Sequence, residues 1–236
     1  MKIAILGSAE ATRDLAPFDD PEWEIWGLAW RFYDHPRMDK AFEVHDPSIW
    51  HEYVKPEIYQ GWLQNPQDSD GNDVEVYMLP RVAETFTSKN IKAYPADEAC
   101  ELMGRRYFTS SFSYMLAKAI MDGATEIGIW GVDLVTDEEY MQQRPAAEFL
   151  LGIAHARGIK ITIPEQSALL KASHVYGLED IRFGDPMEER YKQKEKEYRD
   201  KIEELKSQIF TLEGAAHECK EFYHALQAKR RGLWGK

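Results

Sequence analysis

The chain has 236 residues, 44% hydrophobic and 12% aromatic, and carries a formal net charge of −12 at pH 7. This composition predicts a globular domain with an appendage. The acidic charge argues against a nucleic-acid partner, because neutralising phosphates requires basic patches. The start of the sequence does not have the pattern of a signal peptide, and no apolar run approaches the length of a membrane span, so we expect a cytoplasmic protein. Cys100 and Cys219 lack metal-ligand spacing, and we expect both to be reduced thiols.

The chain begins with a predicted strand, Lys2–Leu6, which runs directly into a small-residue turn and a helix. Nucleotide-binding α/β domains begin in this way, since backbone N–H groups and the helix dipole attract phosphate. The turn has one glycine and lacks the complete GxGxxG and GxxxxGK[ST] patterns, so an ordinary turn stays the alternative. Gly7, Ser8, Thr12 and Arg13 are the predicted phosphate contacts.

Two further strands are predicted at Trp23–Ala29 and Lys40–Val44. The second of these runs into a polar cluster that begins at His45, just past the carboxyl end of the strand. Imidazole gains and loses protons near neutral pH, so His45 is a candidate ligand contact or catalytic acid or base. A hydrogen-bonded structural histidine is the alternative.

The stretch from residue 49 to residue 90 is harder to interpret. Its aromatic part, residues 49–66, either covers a cleft or only packs. The aspartates that follow resemble part of a calcium loop without the glutamate at its twelfth position, which favours a solvated loop. Val74–Leu79 and Ile91–Pro95 are predicted as the fourth and fifth strands.

Hydroxyl side chains cluster where the next helix begins. Any of Thr109, Ser110 and Ser111 can cap it by accepting a bond from a backbone N–H group of the first turn. An apolar helical face follows, and Asp122-Gly123 predicts its end, because glycine adopts the left-handed conformation of a C-terminal cap.

The apolar run over 127–132 predicts a strand that is buried on both faces. In open parallel sheets, ligands bind beyond the carboxyl ends of the strands. Gly131 is therefore a candidate nucleotide contact, and Asp133 is the first candidate for a functional carboxylate.

A helix is predicted to start at Thr136–Glu139 and to stop at Gly158, followed by a last strand at Ile159–Pro164. Together these elements predict an α/β fold, a Rossmann-like open and mostly parallel sheet with helices on both faces, over residues 1–184. A long C-terminal coiled-coil helix is predicted over residues 185–230.

This C-terminal segment is dense in charge and has apolar residues at alternating steps of four and three. One heptad position holds Tyr191, Tyr198, Leu205, Leu212, Cys219 and Leu226, and the other holds Ile202, Ile209, Ala216 and Tyr223. Such a seam predicts a coiled coil or a helix docked on its neighbour. Because so polar a helix gains little by standing alone, we expect self-association through 187–226.

Four stretches, in the same order, resemble the bacterial sialyltransferase-like proteins of the Campylobacter lipooligosaccharide type. Gly7-Ser8-Ala9 stands where that family has a nucleotide-holding Gly-Asn-Gly-Pro-Ser loop, and the segment 42–48 where it has an aromatic strand ending in Tyr-Asn-Pro. Residues 109–133 resemble its Thr-Ser-Gly…Tyr-Met…Gly-Ile-Asp-Phe-Tyr pattern, and residues 164–170 its Pro-Asn-Ser-Leu-Leu ending. The wider superfamily includes archaeal hydroxymethylpterin diphosphokinase-like proteins and many uncharacterised phage and bacterial proteins, which makes a phage protein one expectation.

The sequence also departs from this family. The second glycine, the proline and the serine of the first loop are absent, and Val135 replaces the family's tyrosine. The family carries its catalytic histidine in a lid between the aspartate and the last strand. Here that interval is one predicted helix, and its single histidine, His155, lies near the helix end.

The resemblance implies an enzyme that binds a nucleotide or nucleotide-sugar donor at the strand ends and transfers a glycosyl or phosphoryl group. Thr109, Ser110 and Ser111 would contact ribose or base, Asp133 a hydroxyl or a metal, and His45 would be the acid or base. Mg²⁺ is a candidate companion of the phosphates, without an assigned ligand set. The alternatives are a non-catalytic nucleotide-binding or assembly protein that oligomerises through its C-terminal helix, and a nucleic-acid-modifying phage enzyme, which the acidic charge disfavours.

Overall fold

The computed structural model describes residues 1–52, 54–135, 139–172, 175, 178 and 186–233. The chain divides into two compact units, Met1–Lys171 and Ala172–Lys236. The predicted domain boundary between residues 184 and 185 lies outside the described residues.

The first unit is built on a seven-stranded sheet in which every pairing between neighbouring strands is parallel. Its strands are β1 (Lys2–Leu6), β2 (Trp23–Leu28), β3 (Lys40–Glu43), β4 (Glu75–Met78), β5 (Ile91–Ala93), β6 (Glu126–Trp130) and β7 (Lys160–Thr162). This confirms the predicted α/β fold with an open parallel sheet.

Helices or helical turns separate the strands along the chain. They are α1 (Glu10–Arg13), α2 (Pro56–Gln64), α3 (Pro80–Ala83), α4 (Ala96–Met103), α5 (Ser111–Met121), α6 (Arg144–Ala156) and α7 (Pro186–Leu233), with 3₁₀ turns at Ala29–Arg31 and Pro47–Glu52 and a π turn at Glu139–Gln143. Residues 136–138, where the sequence predicted the start of the sixth helix, lie outside the described residues.

Several strands end earlier than predicted because the residues that follow them adopt a turn or cannot pair with a neighbouring strand. β2 ends at Leu28, since Ala29 begins a 3₁₀ turn. β5 ends at Ala93, and Pro95, which has no N–H to give to a neighbouring strand, follows two residues later as the N-cap of α4. The number of strands predicted from the sequence is right, and the ends differ by one or two residues.

Helices cover both faces of this sheet. Ile3, Ile5 and Phe42 project to the face on which α5 packs, where Met115 and Leu116 complete the core. Successive residues of a strand point to opposite faces of the sheet. The strand residues next to these in sequence therefore face a second core layer on the other side of the sheet. That layer contains Ala41 and Val76, together with Tyr59 and Leu63 of α2.

The order of the strands across the sheet is β5-β4-β3-β2-β1-β6-β7. From β1 to β5, each strand lies beside the one before it, toward one edge of the sheet. β6 then lies on the other side of β1. The order therefore reverses between β1 and β6. In open α/β sheets, ligands bind outside the carboxyl ends of the strands at such a switch point.

The second unit contains α7, a helix of 48 residues. It continues through Gly214, although glycine costs roughly 1 kcal/mol of helix propensity relative to alanine, so the long C-terminal helix is confirmed. Its pairing with another helix stays a prediction. Within the described part of the chain, no helix is long and apolar enough to cross a membrane.

Candidate functional site

The loops that follow β1 and β6 meet through their main chains at the switch point. The N–H of Gly7 donates to the carbonyl of Trp130 at 2.8 Å, and the N–H of Ala9 donates to the carbonyl of Gly131 at 2.9 Å. We call this contact the Gly7–Gly131 crossing. It extends the β1–β6 pairing of Leu6 with Trp130 beyond the strand ends.

Both glycines are required by geometry at this crossing. A Cβ atom on Gly7 would lie 2.2 Å from the carbonyl oxygen of Gly131. Gly131 has a φ of +69°, and its own Cβ would lie 2.9 Å from the carbonyl oxygen of Gly7. A left-handed backbone and a contact this close leave room for glycine alone.

Thr12 and Arg13, two of the residues predicted to contact phosphate, make hydrogen bonds or ion pairs within the protein. The hydroxyl of Thr12, a residue only 1% exposed, accepts a hydrogen bond of 2.8 Å from the N–H of Gly131. Arg13 is buried and forms ion pairs with Asp14 at 3.2 Å and with Asp34 at 3.7 Å. The Thr12 hydroxyl therefore holds Gly131 in place at the Gly7–Gly131 crossing, and Ser8 is the exposed side chain of the turn.

Asp133 lies two residues beyond Gly131 in a tightly turned segment. It is buried, and Leu134 next to it has a φ of +50°, a left-handed conformation that is uncommon for a residue with a side chain. Ser167, in the loop after β7, donates its hydroxyl to the carbonyl of Val132 at 3.0 Å. The loops after β6 and β7 are thereby fixed to each other at Val132, the residue before Asp133.

The N-terminus of α5 lies at the same edge of the sheet. α5 ends at Met121, directly before β6 begins at Glu126, so the helix runs against the strand direction. A helix of 11 residues and a strand of 5 residues have nearly equal lengths, about 16 Å each. The first turn of α5 therefore reaches the carboxyl edge, on the face where the helix contacts β1 and β3.

Of the three predicted capping residues, Ser110 is the N-cap. Its hydroxyl accepts from the N–H of Ser113 at 3.4 Å, and the Ser113 hydroxyl accepts from the N–H of Ser110 at 3.3 Å, which is a reciprocal capping box. Thr109 also donates its N–H to Ser113, and Ser111 is the first helical residue. At the other end, Gly123 has a φ of +74°, which matches the predicted C-terminal cap.

His45 lies just beyond β3 and is held by Glu43, the last residue of that strand. Glu43 is 1% exposed, and its Oε1 accepts from the backbone N–H of His45 at 2.9 Å and lies 2.8 Å from the ring Nδ1. Because a carboxylate only accepts hydrogen bonds, the proton of this contact belongs on Nδ1. Nε2 is then the basic nitrogen of the ring.

The second oxygen of Glu43 is also satisfied. The hydroxyl of Tyr59, a buried residue of α2, donates to Oε2 at 2.6 Å. Burial raises the pKa of Tyr59 well above its usual value, and the charge of Glu43 and this hydrogen bond add to the effect. Tyr59 therefore stays protonated and acts as a permanent donor to the carboxylate.

Sequence reasoning identified His45 and missed Glu43 and Tyr59. A signal for Glu43 existed, since a lone carboxylate stands inside an apolar strand two residues before a histidine, and residues two apart share a face. No signal pointed to Tyr59, because its contact with Glu43 joins two segments across a stretch without clear periodicity. The Glu43–His45 pair lies two strand spacings, about 10 Å, from β1 along the same edge.

His155 does not share this edge. It lies in the last turn of α6, which ends at Ala156 just before β7 begins at Lys160. The last turn of α6 is therefore at the amino edge of the sheet, opposite the Gly7–Gly131 crossing. Within the described residues, no group of three His, Cys, Asp or Glu side chains is arranged to hold a metal ion.

No family model matches the chain, and no protein of curated function matches it. Among solved structures, the chain is similar to the sialyltransferase CST-II in complex with a trisaccharide acceptor and CMP, with 14% identity and a TM-score of 0.45 over 69% of this chain and 80% of that one. It is also similar to the sialyltransferase CstII from Campylobacter jejuni in complex with cytidine-5'-monophosphate, with 16% identity and a TM-score of 0.42 over 71% of this chain and 81% of that one.

Proposed function

We propose that the chain is a transferase that binds a nucleotide-sugar at the carboxyl edge of its sheet and uses His45 as the base. The observation that carries this proposal is the hydrogen bond between His45 and the buried carboxylate of Glu43. A carboxylate that accepts from Nδ1 fixes the tautomer and the orientation of the ring, as in a histidine that acts as a general base. A histidine with only a structural role does not need a buried charge to hold its ring.

The proposed chemistry is glycosyl transfer. Nε2 of His45 takes the proton from an acceptor hydroxyl, whose oxygen forms the new bond to the anomeric carbon of the sugar. The bond from that carbon to the phosphate oxygen breaks, and the nucleotide leaves with the electron pair. Glu43 holds the ring in place during this proton transfer through its contact with Nδ1 at 2.8 Å.

Ligand binding in this proposal uses the switch point. Ser8 offers an exposed hydroxyl beside the Gly7–Gly131 crossing. The first turn of α5, with Ser110 and Ser111, brings the positive end of a helix dipole to the same edge, which favours an anionic phosphate. Asp133 would accept from a ribose or sugar hydroxyl. The sequence resemblance to sialyltransferase-like proteins supports the same class of donor.

The test separates binding from turnover. Thermal unfolding is measured with CMP-, UDP- and GDP-sugars, with and without Mg²⁺, and nucleotide release is followed by chromatography. A ligand at 100 times its dissociation constant stabilises the fold by about 2.7 kcal/mol. We expect one donor class to stabilise the wild type and to release its nucleotide, His45→Gln to abolish release while keeping the stabilisation, and Asp133→Asn to weaken both.

The matched control is His51→Gln, an exposed histidine of the following 3₁₀ turn, which should keep wild-type release. Release that survives in His45→Gln would refute His45 as the base. Binding without release by the wild type would instead support the non-catalytic nucleotide-binding alternative. Transfer of phosphate rather than sugar to the acceptor would identify phosphoryl transfer from the same site.

A further inference from the structure

We infer that α7 pairs with α7 of a second copy as a parallel, in-register, two-stranded coiled coil. This inference is independent of the proposed transferase activity. The four central seam residues, Ile202, Leu205, Ile209 and Leu212, are between 45% and 68% exposed in the single chain. Burying one such side chain contributes about 1.5–3 kcal/mol, so a partner that covers this row stabilises the helix substantially.

The identity of the seam residues selects the partner and its direction. In heptad notation, Ile202 and Ile209 occupy position a, and Leu205 and Leu212 occupy position d. β-Branched residues at a with leucine at d favour a parallel dimer over trimers and tetramers, because each side chain fits the hole that the facing helix offers at that position. The seam from Tyr191 to Leu226 is about 50 Å long, enough for roughly five heptads.

Part of the charge beside the seam is neutralised within each helix. Three cations at positions e and g have a carboxylate partner on their own helix: Arg199 with Glu195 at 2.7 Å, Lys201 with Glu204 at 2.8 Å and Lys206 with Glu203 at 2.7 Å. In a parallel pair Lys201 faces Lys206 of the second copy, and these internal partners reduce the repulsion between the two cations. The next such pair, Gln208 with Glu213, brings no like charges together.

One charged residue lies on the seam. Glu195 occupies an a position, so a parallel, in-register pair brings it opposite Glu195 of the second copy and beside Lys194, the g residue of that copy. Because each Glu195 also pairs with Arg199 of its own helix at 2.7 Å, four cations surround the two carboxylates of this layer. The polar layer fixes the register, because a shift by one heptad would bring Glu195 against the apolar row.

Cys219 gives a direct readout of direction. It occupies a d position and is a free, exposed thiol in the single chain. In a parallel, in-register pair, the d residues face each other, so the two Cys219 thiols are neighbours. In an antiparallel pair, d faces a, and the two thiols are kept apart.

The first experiment measures the molar mass of the full-length chain by analytical ultracentrifugation. We expect twice the chain mass of 27.4 kDa. Ile209→Asp should shift the protein to the monomer mass, because it places a charge in the centre of the seam. Phe210→Asp is the matched control: Phe210 is adjacent and more exposed, and it occupies position b away from the seam, so the variant should stay a dimer.

The second experiment oxidises the protein mildly and compares bands under non-reducing conditions. We expect a band of twice the chain mass that persists in Cys100→Ser and disappears in Cys219→Ser. A monomeric wild type, a larger assembly, or a dimer that does not cross-link through Cys219 would each overturn the inference. Because Ile209→Asp leaves the sheet unit unchanged, its nucleotide stabilisation should equal that of the wild type, which keeps this test separate from that of the proposed function.

Discussion

A Cβ atom on Gly7 would lie 2.2 Å from the carbonyl oxygen of Gly131, although 124 residues separate the two glycines in the chain. The two loops at the switch point are thus in main-chain contact, and their mutual position depends on the absence of side chains. The same contact sets the position of the segment that carries Asp133. A substitution at either glycine is therefore expected to disturb both the candidate site and the stability of the fold.

Gly7→Ala is expected to lower the free energy of unfolding by about 3 kcal/mol, because the new methyl group must push two main-chain segments apart. For a chain of this length, each kcal/mol shifts Tm by roughly 2–4 °C. Thermal unfolding by circular dichroism measures the change. The control is Gly152→Ala in α6, where a Cβ meets nothing within 4 Å and alanine should be neutral or stabilising by up to about 1 kcal/mol. Equal melting temperatures for the two variants would contradict this account.

Tyr59→Phe removes the hydroxyl that donates to Oε2 of Glu43 and leaves a buried carboxylate oxygen without that donor. A hydrogen bond to a charged group is worth about 1.5–3 kcal/mol, and we expect a loss of stability in that range, measured by urea unfolding. Tyr77→Phe is the control. Tyr77 donates to the half-buried Glu75 at 2.9 Å, so its loss should cost less than about 1 kcal/mol. A cost for Tyr59→Phe as small as that for Tyr77→Phe would show that Glu43 does not depend on Tyr59.

Much of the sheet could be predicted because strand and helix periods are local. The apolar run over 127–132 and the capping residues around Ser110 each carry their signal within a few residues. The order of the strands is not local. Nothing in the sequence states that β6 returns to the far side of β1, and so the meeting of Gly7 with Gly131 follows from the structure alone.

The roles of loop side chains were harder to predict than the loops themselves. Thr12 and Arg13 have the residue types that bind phosphate, yet the structure directs them to Gly131 and Asp34. Glu43 departs from the apolar pattern of a strand covered on both faces, but its contact with Tyr59 joins two segments that lie 16 residues apart, and that contact has no local signal. A residue type indicates which interactions a side chain can make. Its rotamer and its long-range contacts decide whether it makes them with a ligand or within the protein.

Ser110→Ala is expected to cost about 1 kcal/mol, because the alanine cannot accept from the N–H of Ser113. Ser111→Ala removes a hydroxyl of the same size one residue later, at the first helical position, and should change the stability by less than about 0.5 kcal/mol. Chemical unfolding of the two variants separates the capping residue from its neighbour. If the nucleotide contacts both hydroxyls, both variants should lose ligand stabilisation, so the cap and the ligand contact are distinguished by measurements with and without nucleotide.

The last prediction concerns His35, which lies buried beside Arg13 and Asp34 and stacks on Phe18. Burial, reinforced by the guanidinium groups of Arg13 and Arg31 and opposed by the carboxylates of Asp34 and Asp14, lowers the pKa of His35 from 6.5 to about 4. The unfolded chain therefore binds a proton at this residue at a higher pH than the folded chain does. Stability contributed by the neutral ring is fully present above pH 6.5 and is lost as the pH falls toward 4.

We expect the loss over this window to total roughly 3 kcal/mol, measured by urea unfolding at a series of pH values between 6.5 and 4. His35→Gln should have a shallower pH dependence in that window, whatever its stability at neutral pH, because glutamine does not titrate. His155→Gln replaces an exposed histidine and should keep the wild-type slope. If His35→Gln and the wild type lose stability in parallel as the pH falls, the pH dependence originates elsewhere, and the buried ring beside Arg13 is not its cause.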